Sequence, residues 1–189
     1  MNSTHRVGGA SIGVALAVVA LCILSACATT SSPSTTNANT TVKAACVTQS
    51  TGAPQAALAT RACDAVANMA IEVQTTYDAQ VASVKVNVRV GGKVPDSDGE
   101  VSAAQKLTKT ICLREQQAMW ASGLTLKQVT VTVLGPIQDE YDNIVDAPYG
   151  AAVVGSTTAT RLDWANLNTD GAWSRFDNVF LRPYFVLFD

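Results

Sequence analysis

The sequence predicts an α+β domain. Two helices would pack on one face of a small mixed sheet of three or four strands, closed by an aromatic C-terminal segment of short helices. Three observations carry this. Apolar residues recur at helical spacing after Pro54 and again after Ser97. Val84, Val86, Val88 and Val90 alternate with Lys85, Asn87 and Arg89. Seven of the chain's eleven aromatic residues fall in its last 26 positions.

The first helix is expected from Pro54, which costs no hydrogen bond in a first turn. Leu58, Ala62, Val66, Met69, Val73 and Tyr77 then follow at three- and four-residue steps, with Arg61, Asp64 and Asn68 opposite. The valine alternation is a strand with one buried and one wet face, ended by Gly91-Gly92. A second helix should start at Ser97 or Asp98, with Ser97-x-x-Glu100 as a capping box. Its core stripe is Val101, Ala104, Leu107, Thr108, Ile111, Ala118 and Met119, with Glu115 inside it. Gly123 is its stop signal. The next strand opens near Thr125 and buries Val129, Val131 and Val133, and Gly135-Pro136 should interrupt or bend it. A turn at 139–143 leads to a returning strand over 144–160, broken at Ala147-Pro148. One or two short helices and an extended end complete the chain. The strand–helix–strand part should cross over right-handed.

Ahead of this domain, His5 and Arg6 precede a run of Ala, Val, Leu, Ile, Gly and Cys that ends in Leu24-Ser25-Ala26-Cys27. A charged start, an apolar middle and a small-residue exit make an export signal. The last four residues resemble the lipobox of bacterial lipoproteins. The resemblance implies that the chain is cut before Cys27 and that the Cys27 thiol carries a diacylglyceryl group. It covers only the first 27 residues. An uncleaved membrane helix over 10–28 is the alternative, and its length just reaches the ~20 residues a span needs. The expected organisation is a signal peptide at 1–26, a lipidated Cys27 with a Ser/Thr-rich tether to 42, and one domain over 43–189. Nine of the thirteen residues at 29–41 are Ser or Thr, with no charge and no large apolar side chain. Such a segment has nothing to offset its ordering entropy, and it can be O-glycosylated.

Removing the signal also removes Arg6 and the chain's only histidine. That leaves 12 basic against 15 acidic residues, a net charge of −3. Nucleic acid and anionic lipid headgroups are therefore poor partners for the domain as a whole. Without histidine there is no Ser-His-Asp or Cys-His nucleophile and no histidine metal site. No cofactor motif is visible, and no catalytic residue or metal ligand is assigned. Of the five cysteines, Cys46, Cys63 and Cys112 remain in the exported domain, an odd number that allows one bridge. Cys63 and Cys112 flank the core stripes of the two helices and are the favoured pair, leaving Cys46 free; Cys46 with Cys63 is the next.

Three further patterns bear on function. Asn166-x-Asn168-x-Asp170-Gly171-x5-Asp177 resembles the calcium loop of EF-hand and dockerin modules, which implies oxygen ligands at its first, third, fifth and twelfth positions. Its first position is Asn and its last Asp, so a turn with Thr169 or Asp170 capping a short helix is the expected form. Asp96-x-Asp98-Gly99-Glu100 and Asp139-Glu140-x-Asp142 read as solvated turns. Glu115 is either an acid of raised pKa or a stripe-edge residue that meets a cation, the second being expected. Leu113 and Trp120 share one face of the second helix, on its polar side. They form a candidate partner-binding patch, or else the seat of the C-terminal aromatic segment, which is favoured. The functional expectation is a non-enzymatic envelope lipoprotein that binds a partner or ligand. It would be anchored by Cys27 in the bilayer, on the outer face of a bacterial cell membrane or in an outer membrane. The alternatives are a small carboxylate-dependent envelope hydrolase and a surface structural or exclusion lipoprotein.

Overall fold

The strand that runs Ser83-Val84-Lys85-Val86-Asn87-Val88-Arg89 is the centre of the architecture. The computed structural model describes residues 45–48 and 52–186. The export signal, Cys27, the tether and Phe188 lie outside the described residues. In chain order the elements are β1 (Ala45–Thr48), α1 (Ala53–Ala65), β2 (Glu72–Asp78), β3 (Ser83–Arg89), α2 (Asp98–Trp120), β4 (Gln128–Gln138), β5 (Ile144–Gly155), α3 (Ser156–Ala159), α4 (Thr169–Trp173) and β6 (Asn178–Leu181). The fold is α+β, and its sheet has six strands rather than three or four, in the order β1-β2-β3-β4-β5-β6. β1 runs parallel to β2 and β3 parallel to β4; the other neighbours are antiparallel.

The register explains the core. Tyr77, Val84, Val129 and Val154 form one row across four strands. Thr75, Val86, Val131 and Ala152 form the next, followed by Val73, Val88, Val133 and Gly150. Val84, Val86, Val88, Val129, Val131 and Val133 are all fully buried. Each is worth about 1.5–3 kcal/mol relative to an exposed side chain. α1 lies over β1 and β2, α2 over β4 and β5, and the helices pack on each other. The opposite face is polar. There Asn87 Nδ2 donates to Gln74 Oε1 at 3.4 Å, and Arg89 pairs with Glu72 at 3.3 Å and Asp146 at 3.1 Å.

Three strands that the sequence reading does not place, β1, β2 and β6, account for the difference in sheet size. The first helix stops at Ala65 instead of reaching Tyr77, and its last apolar positions belong to β2. Val73 and Tyr77 are four apart, which suits either period, but Val73, Thr75 and Tyr77 alternate inward with β-branched neighbours around them. At the other edge the extended end is β6, paired with residues 150–153 of β5.

Gly135-Pro136 does not interrupt β4. The irregularity lies opposite, where the register skips Tyr149 between the Val133–Gly150 and Leu134–Pro148 pairs. Tyr149 and Gly150 consequently both turn inward, as the two residues of a bulge do. The Tyr149 ring covers Gly135, where a Cβ would lie 2.6 Å from its Cζ. β3 ends opposite Leu134, so Pro136 owes that side no N–H. Its carbonyl accepts the Tyr149 hydroxyl at 2.7 Å instead. Farther along, residues 185–186 fill the place β3 vacates. The Gln138 N–H donates to the Phe185 carbonyl at 3.0 Å, and Phe185, almost fully buried, meets Tyr149 edge-on at 4.2 Å between centroids.

Candidate functional site

α2 is enclosed on more than one side, and this decides what its side chains can do. Toward the sheet it approaches so closely that a Cβ on Gly150 would stand 2.8 Å from Thr108 Cγ2. A second stripe faces the C-terminal segment. Gln105 Nε2 donates to the Arg182 carbonyl at 3.0 Å, Lys109 Nζ meets Asp170 at 3.3 Å, and Gln117 Nε2 donates to the Trp164 carbonyl at 2.7 Å. Leu113 falls between Lys109 and Gln117 on that arc and is 7% exposed. Trp120 is half-buried, and its indole N–H donates to Gln116 Oε1 at 3.0 Å. Leu113 is thus buried and Trp120 half-buried. The chain's own C-terminal segment bonds to Gln105, Lys109 and Gln117 on the side of the helix that carries Leu113.

Glu115 sits on the sheet-facing arc with Thr108, Ile111, Cys112 and Met119, and it is 0% exposed. It does not reach a cation at the stripe's edge. Among the described residues neither carboxyl oxygen has a hydrogen-bond partner, and burial pushes its pKa up to about 9. The group is thus a neutral acid at physiological pH. The same burial, with the Glu115 charge nearby whenever it ionises, pushes the Cys112 thiol upward. None of the four described surface cavities is lined by Glu115. A general acid must reach its substrate, and this one is sealed. Its neighbour Gln116 is also fully buried but satisfied, donating to the carbonyls of Val129 at 3.1 Å and Ala152 at 3.3 Å.

The expected Cys63–Cys112 bridge is not formed. Cys63 is bonded to Cys46, with their Cα atoms 5.9 Å apart. Cys112 is a buried free thiol. α1 lies across β1, so Cys63 in its last turns meets the edge strand rather than α2. The order of the two helices along the sheet, which spacing alone does not reveal, decides the pairing.

The calcium-like loop spends its ligands on folding. The cap of α4 is Asn168 rather than Thr169 or Asp170, which lie within the helix: Asn168 Oδ1 accepts the Gly171 N–H at 2.7 Å. Asn166 Nδ2 donates to Asp163, and Asp170 is paired with Lys109. Asp177, the twelfth position, turns away to α3, accepting the Gly155 N–H at 2.5 Å and the Thr158 hydroxyl. Among the described residues, no three His, Cys, Asp or Glu side chains are grouped to hold a metal ion.

The acidic turns are similarly engaged. Glu100 does not complete the capping box with Ser97. It accepts the Asp96 N–H at 3.2 Å and pairs with Lys93 at 2.7 Å, and the Lys93 hydrogen bond pulls its pKa down to about 2. Asp139 accepts the N–H of Asn143, which chiefly holds its carboxyl below the usual range, and also that of Tyr141. Tyr141 at 75% and Ile144 at 71% are exposed in and beside this turn, and Tyr184 is 72% exposed. Among the described residues no helix is long and apolar enough to cross a membrane. No family model, no curated protein and no solved structure matches the chain.

Proposed function

We infer that this protein is a cell-envelope lipoprotein, held at a bacterial membrane by acylated Cys27, whose domain binds a partner or ligand rather than catalysing a reaction. The observation that carries the reading is Leu24-Ser25-Ala26-Cys27 at the end of an apolar run. Two or three acyl chains anchor stably, whereas one binds only marginally. A Cys46–Cys63 bridge is compatible with an oxidising, exported compartment. A binding role is favoured over a carboxylate hydrolase by the state of the acids. Glu115 is sealed, Glu100 and Asp139 are held by hydrogen bonds within their own turns, and Asp177 is held by donors at the start of α3.

Intact mass and membrane fractionation test the anchor. The wild-type chain should be recovered cut before Cys27 with the mass of a diacylglyceryl group, and Cys27→Ser should remain an uncleaved, unmodified precursor. A wild-type protein that is processed but carries no lipid would overturn the reading.

A further inference from the structure

Two arginines close the two one-turn helices of the C-terminal part. Arg161 follows α3, its N–H bonded to the Thr158 carbonyl at 2.9 Å; Arg175 follows α4, its N–H bonded to the Ala172 carbonyl at 3.0 Å. Asp177, shortly after Arg175, is tied to α3 through the Gly155 N–H and the Thr158 hydroxyl. Ala159, Ala172 and Phe176 are buried beneath them, and Trp164 and Trp173 lie 6.4 and 6.5 Å from Phe176 between ring centroids. This frame sets the two arginines on one concavity of about 390 Å³, lined by Thr158, Arg161, Leu162 and Arg175.

Both side chains are exposed, and among the described residues neither guanidinium makes an ion pair. The neighbouring carboxylates are otherwise engaged: Asp177 has a donor on each oxygen, and Asp163 accepts Asn166 Nδ2 at 2.7 Å. Both arginines line one space, and an anion held between two guanidinium groups would be attracted by each of them. Each is a planar fork that pairs with two oxygens at once. A carboxylate offers one charge and two oxygens, enough for a single fork. A phosphoryl group offers up to two charges and three free oxygens in a tetrahedral array, and so can engage both.

We propose that the concavity between Arg161 and Arg175 binds a phosphoryl group. The space exceeds a bare phosphate and leaves room for part of the molecule that carries it, with Leu162 as an apolar wall. The chemistry is shared by a soluble phosphate and a phospholipid headgroup.

The test uses the full chain, ¹⁵N-labelled, in a neutral detergent. Inorganic phosphate and a short-chain phosphatidic acid are titrated separately while the backbone amides are followed. The expected result is a saturable shift at Thr158, Arg161, Leu162 and Arg175 with at least one probe. A response to inorganic phosphate identifies a soluble ligand class, and a response to the lipid alone identifies a headgroup; either supports the site. Arg161→Gln combined with Arg175→Gln should weaken binding by at least about tenfold, with the remaining spectrum unchanged as proof of folding. Lys106→Gln, an exposed cation in a different cavity, should change nothing. Absence of a saturable shift with either probe, or a shift that survives the double substitution, overturns the proposal. Neither result depends on whether Cys27 is acylated.

Discussion

The sheet contains two strand–helix–strand units of the same topology, β1-α1-β2 and β3-α2-β4, joined by a hairpin whose turn includes Ala82 at positive φ. They are held by different means. The second unit has seven-residue pairing between β3 and β4, with three valines from each strand removed from water, beneath a 23-residue helix. The first pairs over four residues, and Ala45, Cys46 and Val47 of its edge strand are exposed. Apolar burial supports one unit; a disulfide holds the edge of the other. A short strand next to a short helix buries too little to stay docked unaided, and covalent closure compensates by restricting the unfolded chain.

The same substitution placed in each unit should separate them most sharply. Val131→Asp puts an unpaired charge where exposure is zero, at a cost of several kcal/mol, about 5 or more once the lost packing is included. The chain should lose its cooperative melt by circular dichroism. Val47→Asp, at a side chain 38% exposed, should leave the melt nearly intact. If Val47→Asp were equally damaging, the two units would share one mode of support.

Cys46→Ser comes next, with an expected loss of about 3 kcal/mol in urea unfolding. Hydrogen exchange should report where the loss falls. Protection should drop at residues 45–48 and stay high at residues 84–88, and equal loss in both places would show that the bridge supports the whole sheet.

The second unit also carries a liability, because its packing tolerates a buried unpaired acid. Glu115 has its folded pKa raised to about 9 from an ordinary 4.5. The native state therefore keeps a proton that the unfolded chain releases, and stability falls as pH rises between those values. The slope is about 1.4 kcal/mol per pH unit, or about 2 kcal/mol between about pH 5 and about pH 6.5. Glu115→Gln should flatten that dependence in urea titrations and match the wild type only near the acidic end. An unchanged slope would place the acid outside the core. Smallest of all, Trp120→Phe strips a donor from Gln116 Oε1 and should cost about 1 kcal/mol in the same assay.

How much of this is legible in the sequence follows the same division. The β3 and β4 valines announce themselves because one buried and one wet face impose a strict alternation. Val73 and Tyr77 do not, because a four-residue step suits a helix turn as well as two strand steps. β1 and β6 are four residues each, too short for a period to emerge. Leu113 looks misplaced only if a helix has one buried face; α2 has a second, lent by a segment some fifty positions later in the chain. The Cys46–Cys63 bridge depends on which strand lies under α1, and the Tyr149 bulge on what must pass over Gly135. Both are facts of tertiary arrangement that no local pattern encodes. At the candidate site, Arg161 and Arg175 sit fourteen residues apart with no shared motif, and the contacts that hold their segments, Asp177 with Gly155 and Thr158 and Trp164 with Phe176, join residues distant in sequence.

The position of the bridge also has a mechanical consequence. Any tension on the chain ahead of Ala45 enters the domain through β1, and Cys46 is its second residue. The load then passes covalently to Cys63 in the last turns of α1, and the segment between the two cysteines is relieved of it. A domain pulled from its N-terminal side would bear force on a helix packed against the sheet, not on a four-residue ladder that could be peeled one hydrogen bond at a time.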